Sequence, residues 1–296
     1  MFLSYLHPRL LRSLMLIEPF IWDKDVAENG DLMALTVKKR DIWSDRRAAV
    51  KRGSPFFHIW DPRVVERWVQ HGYRDLPTVT HPEFKANNSP NPSTGTPVTL
   101  TTTKHQETFS YIRFNPSQHR ELGLSDSDVS REANRPRPPH DPLFFPDMVG
   151  DLYPGQMFYR AEPILAWRGL PHIRPSTLFL SGGKSDLSRW GLMDKAANIA
   201  GTGIGGSGGV PCERVKHVVF PKAFHTLPLE KVANIADALA PWISKELQRW
   251  NEDERRIAEG WETLSPKERS SLSGEWMSSV FRALKDIEAR KKTSKL

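Results

Sequence analysis

Two polar residues stand where a parallel sheet would present them to a substrate. Asp186 follows the apolar run Thr177-Leu178-Phe179-Leu180 on the turn Ser181-Gly182-Gly183-Lys184-Ser185-Asp186. His225 follows the run Val215 to Phe220, in Pro221-Lys222-Ala223-Phe224-His225-Thr226-Leu227-Pro228. In open parallel sheets, functional groups gather at the carboxyl ends of the strands. A carboxylate after one strand and a histidine after the next is the arrangement of an orienting acid and a general base, the acid fixing the tautomer of the imidazole that moves the proton. Singly, Asp186 reads as ordinary turn chemistry and His225 as a surface loop residue. Their order and shared context favour the pair, and predict the two side chains within hydrogen-bond reach.

Nucleophile signals are weaker. Gly205-Gly206-Ser207-Gly208-Gly209 matches G-x-S-x-G literally, but such an elbow needs a strand directly before it and a helix directly after. Ser207 is followed by Val210-Pro211 and a strand, and it comes after the acid in the chain. The overlapping Gly201-Thr202-Gly203-Ile204-Gly205-Gly206 spells G-x-G-x-x-G without a leading strand, so no dinucleotide cofactor is expected. A flexible loop near the site entrance is the better reading of the run. With Cys212 the single cysteine, no cysteine-rich metal site and no intrachain disulfide can form, which fits a reducing compartment. No cofactor or metal is expected.

The elements that would position these residues are three short, mainly apolar strands, Leu14–Ile17, Thr177–Leu180 and Val215–Phe220, separated by helical stretches. This is the pattern of a parallel sheet covered on both faces. Phe2, Leu3, Leu6 and Leu10 predict a helix over 2–11, running from Met1 without an N-cap. From Ile21 to about Tyr73 the pattern is helical, with Trp22, Trp43, Trp60 and Trp68 on inner faces. Two polar stretches, 87–103 and 125–141, predict loops. Leu229, Val232, Ile235, Ala236 and Leu239 predict an amphipathic helix after Pro228. Ser265-Pro266-Lys267-Glu268 is a capping box, opening a helix whose stripe of Trp276, Val280, Leu284 and Ile287 is expected to dock on its own domain.

At this point Tyr5-Leu6-His7-Pro8-Arg9-Leu10, the Leu14 to Pro19 strand, the Asp186 turn and Phe224-His225-Thr226-Leu227-Pro228 together resemble the post-nucleophile half of an α/β-hydrolase. The likeness covers residues 1–20 and about 170–250. The long aromatic insert, the Gly201–Gly209 run and the terminal Ser294-Lys295-Leu296 are similar to the fungal toxin-biosynthesis and peroxisomal lipase-like (epoxide hydrolase-like) branch. The resemblance implies that Asp186 orients His225 and that His225 activates a serine or a water. It also makes Glu18 a reserve acid, because some α/β-hydrolases keep the acid after that strand. In the family a G-x-S-x-G elbow precedes a helix like 2–11, so the nucleophile turn and the oxyanion hole are expected to lie outside these 296 residues, which are then expected to show no turnover alone.

The implied fold class is α/β: the carboxyl-terminal part of an α/β-hydrolase parallel sheet with a large helical cap insert and a helical C-terminal extension. The expected divisions are 1–20 (end of the nucleophile helix and a core strand), 21–170 (cap), 171–248 (core strands with acid and histidine) and 249–296 (helical extension). Two functions compete, a peroxisomal hydrolase of a small apolar ester or epoxide and a catalytically dead remnant with a binding role. The +7 formal charge is spread along the chain among 35 acids, with no basic face interleaved with aromatics, so no nucleic-acid partner is expected. No run of 18 apolar residues offers a membrane span. Ser294-Lys295-Leu296, behind basic residues on a polar tail, matches the peroxisomal address and implies the import receptor as a partner.

Overall fold

The computed structural model describes residues 1–7, 10–23, 30–84, 95–114 and 158–293. The chain forms two compact units, Met1–Ala240 and Pro241–Leu296. The loop expected at 125–141 and the terminal Ser294, Lys295 and Leu296 lie outside the described residues.

In chain order the strands of the first unit are β1 (Ser13–Ile17), β2 (Ile42–Trp43), β3 (Tyr73–Asp75), β4 (Val98–Leu100), β5 (Arg113–Phe114), β6 (Phe158–Tyr159), β7 (Ser176–Gly182) and β8 (Val215–Phe220). The three apolar runs pair in parallel in the order β1-β7-β8, with Leu16 opposite Phe179 and Leu180 opposite Val218. Every residue of the central strand β7 is buried. That explains its unbroken apolar character, because neither face meets water. Phe179, Leu170, Ile173, Ala196 and Ala200 form the tightest part of the core, joined by Leu14 and Val215. The helix Leu192–Ile199 contributes Met193, Ala196 and Ala197 to the interior, the small alanines allowing a close approach to the sheet.

The insert carries a second, antiparallel sheet of order β2-β4-β3, with Trp43, Tyr73, Val98 and Ala49 buried together. Trp43 and Tyr73 meet edge to face at 5.6 Å. β4 lies inside the stretch 87–103 expected to be loop: Thr99 pairs with both Ile42 and Arg74, and Val98 fills the small core. Trp68, expected to face inward, is exposed.

The helix expected over 2–11 is confined to Phe2–Leu6, ending on an extended His7. His7 precedes Pro8, whose ring disfavours helical geometry in the residue before it. In the second unit the capping box forms as read: Ser265 Oγ accepts from the Glu268 amide, while the Glu268 carboxylate accepts from the Ser265 amide and hydroxyl. The helix it opens stops at Ser270, however, and Trp276, Leu284 and Ile287 belong to a separate helix, Gly274–Thr293. There they are exposed rather than docked. No helix among the described residues is long and apolar enough to cross a membrane.

Candidate active site

Three chain segments converge at the carboxyl ends of β1, β7 and β8. The turns after β7 and β8 are stitched together by main-chain hydrogen bonds, Gly183 N–H to Phe220 O at 2.8 Å and Lys184 N–H to Ala223 O at 2.9 Å. A Cβ on Gly182 would stand 2.5 Å from the carbonyl oxygens of Ala223 and Phe224. Glycine is therefore required where the histidine loop crosses the strand end.

Glu18 is the first residue past β1, and its amide still donates to Leu180 O. Its backbone takes φ +49°, the left-handed region disfavoured for residues with a Cβ. From there the carboxylate turns inward and collects three donors: the Gly182 amide, the Ser185 hydroxyl at 2.7 Å, and His225 Nδ1 at 2.8 Å. The Glu18 side chain is 3% exposed and that of His225 is 62% exposed. A carboxylate only accepts, so Nδ1 carries the proton and the neutral ring keeps its lone pair on Nε2. The hydrogen bond that His225 donates to Glu18 holds the His225 pKa above its ordinary 6.5, against the opposing effect of burial, with smaller Coulombic help from Glu18 and Asp186.

The structure thus joins His225 to Glu18 instead of the expected Asp186. β7 runs on to Gly182, so the inward position on its turn falls to Ser185, which is buried. Asp186 comes one residue later, opens the short helix Asp186–Arg189, and pairs at 3.4 Å with Arg189. Its side chain is 66% exposed. It remains close enough to act on the imidazole through its charge, but not as the hydrogen-bonded partner.

Ser207 is far from this cluster. Gly201, Gly203 and Ser207 donate their amides to Leu170, Pro171 and Ile173, the segment leading into β7, and Gly209 O accepts from Arg214 just before β8. The glycine-rich run therefore packs at the amino ends of the strands, roughly 20 Å from the His225 end by the rise of a seven-residue strand. This corrects its reading as a loop near the site entrance.

No family model matches the chain. It is 33% identical over 269 residues to the type I acyl-CoA thioesterase mpaH of Penicillium roqueforti, covering 87% of this chain and 58% of the relative. The abhydrolase domain-containing protein ACTT2-2 of Alternaria alternata is 24% identical over 282 residues, covering 93% of this chain and 90% of that protein. The chain belongs to the α/β-hydrolase superfamily. It spans little more than half the length of the first Penicillium relative. Among solved structures, the peroxisomal α/β-hydrolase Lpx1 of Saccharomyces cerevisiae matches 97% of this chain and 57% of its own at 14% identity, with a TM-score of 0.40.

Within this α/β-hydrolase, sequence reasoning passed over Gly182 and Ser185 as donors to the acid. The Gly182-Gly183 pair at a strand end was the available signal, since paired glycines mark a close backbone approach. Among the described residues no cluster of three or more metal-ligating side chains occurs.

Proposed function

We propose that the chain carries the base and orienting acid of a hydrolase acting on an apolar acyl ester or thioester. The carrying observation is the buried Glu18 carboxylate hydrogen-bonded to Nδ1 of the exposed His225. In this reading Glu18 fixes the ring with Nε2 directed to the reacting groups. Nε2 takes the proton from a hydroxyl or water as that oxygen attacks the acyl carbon, and returns it to the departing alkoxide or thiolate. Asp186 adds negative charge near the developing imidazolium without touching it. An acyl substrate rather than an epoxide is favoured by the acyl-CoA thioesterase names of the Penicillium relatives.

The test is hydrolysis of acyl-CoA thioesters and p-nitrophenyl esters by the 296-residue chain and by a version extended upstream in frame. Turnover in the extended version should fall by about 10²–10⁴-fold in His225→Ala. It should fall substantially in Glu18→Gln and be unchanged in Ser207→Ala. A His225→Ala variant that keeps its rate would remove His225 from the base role, and no turnover in either version would leave the catalytically dead, binding-only alternative standing.

Peroxisomal delivery through Ser294-Lys295-Leu296 belongs to the same proposal. A fluorescent protein fused to the amino terminus should colocalise with a peroxisomal marker and become diffuse when Leu296 is deleted. Signal that is diffuse with Leu296 in place would exclude it.

A further inference from the structure

A second buried carboxylate lies behind the histidine, and the proton-transfer scheme does not use it. Glu230 closes the one-turn helix Leu227–Glu230 and is almost fully buried. Its two oxygens accept from the Phe224 amide at 3.3 and 3.1 Å, and Oε1 also accepts from the Thr226 hydroxyl at 2.6 Å. Those two donors flank His225 on either side. We propose that Glu230 is the positioning residue of this site, a carboxylate that grips the backbone before His225 and the side chain after it so that the imidazole stays on Glu18.

The local geometry explains why such a grip is needed. The His225 side chain is 62% exposed, so the hydrogen bond to Glu18 is the main hold on its ring, and that hold depends on where Phe224 and Thr226 set the backbone between them. The loop is also held by main-chain bonds, Lys184 N–H to Ala223 O from the β7 turn, Leu227 N–H to Phe224 O, Leu229 N–H to Thr226 O and Asp61 N–H to Leu229 O, but none of these includes His225 itself. Glu230 ties Phe224 and Thr226 to a point behind the loop, while the Gly182 backbone closes the other side. A buried carboxylate is stable only with hydrogen-bond donors, so moving Phe224 or Thr226 away would strand its charge. This makes the loop position stiff in a way a neutral contact would not. The charged groups facing the imidazole are Glu18 from the end of β1 and Asp186 from the turn after β7, while Lys184 lies over the Phe224 ring at 5.0 Å.

The inference rests on the His225–Glu18 pair, but its test needs no turnover and so fails or succeeds apart from the proposed activity. In the folded 296-residue chain, the His225 ring proton is titrated by NMR in wild type, Glu230→Ala, Thr226→Val and Thr226→Ser. Glu230→Ala should lower the His225 midpoint toward the ordinary value of about 6.5 as the ring leaves Glu18. Thr226→Val should give a smaller fall in the same direction, and Thr226→Ser, which keeps the hydroxyl, should restore the wild-type midpoint. If Glu230→Ala does not fold, the Thr226 pair carries the same comparison. A His225 midpoint unmoved in folded Glu230→Ala, or equal in Thr226→Val and Thr226→Ser, would overturn the proposal.

Discussion

Glu18 stands directly before Pro19 with a positive φ, a conformation that costs a residue with a Cβ about 1–2 kcal/mol. It persists because three donors converge on the carboxylate. Glu18→Asn, which tolerates the left-handed region, is expected to keep the fold and to lower the His225 pKa; Asp186→Asn should lower it much less, because Asp186 acts only through space. NMR titration of the two variants checks the ranking, and an equal effect would return the acid role to Asp186. Stability follows with a definite sign. The folded pKa of His225 is raised, so the stabilisation is full below the unfolded value of about 6.5 and is lost as pH rises through the folded value. Urea unfolding across that window should show a slope that Glu18→Gln removes. At Gly182 an added methyl meets two main-chain carbonyls that cannot rotate away. Gly182→Ala is therefore expected to cost about 1–3 kcal/mol and to detach the histidine loop, with the unfolding midpoint and the His225 titration as readouts.

At the level of elements, the three strands of the parallel sheet were legible and the turns that follow them were not. β7 is an unbroken apolar run because neither of its faces meets water, and β1 and β8, partly exposed on either side of it, keep enough apolar residues to be read locally. The capping box at Ser265–Glu268 is local in the same sense. β4 was hidden because its pairing with β2 and β3 joins residues more than twenty positions apart, and Thr-rich composition masks it. The carboxylate that hydrogen-bonds His225 was not the one expected first, for a related reason. Which residue of the β7 turn faces the histidine depends on where β7 ends, and two further strand residues gave the inward place to Ser185. The family resemblance had held Glu18 in reserve, and Glu18 is the residue hydrogen-bonded to His225, because the end of β1 reaches the same point from the other side of β7. The glycine-rich run gives the sharpest test of this element-level geometry. Since it packs at the amino ends of the strands, Ser207→Ala should leave the His225 titration unchanged, and a shifted midpoint would mean that the two ends of the sheet are coupled.

At the scale of the whole chain, apolar surface is what remains unaccounted for. In the order β1-β7-β8 the central strand is paired on both sides, whereas no strand among the described residues pairs with the other edge of β1. Leu3, Leu6 and Leu10 in the segment before β1 and Met15 on β1 are exposed, and in the second unit Trp261, Trp276 and Phe281 are exposed as well. Full burial of one large apolar side chain is worth about 1.5–3 kcal/mol, and a domain's net stability is about 5–15 kcal/mol. Leaving several such groups in water is therefore a large fraction of what holds a domain together, and an edge strand with apolar neighbours is a template for pairing with another chain. The 296-residue chain expressed alone is expected to bind an apolar-surface dye and to associate as its concentration rises. Met15→Lys, which adds a charge to the edge strand, should reduce association while leaving the His225 titration intact, because Met15 does not reach Glu18 or the histidine loop. Trp276→Ser with Phe281→Ser should reduce dye binding through the second unit alone. Sedimentation and calorimetry on the same samples decide the matter: a sharp cooperative unfolding transition from a monomer that binds no dye would show that these surfaces are not exposed in solution.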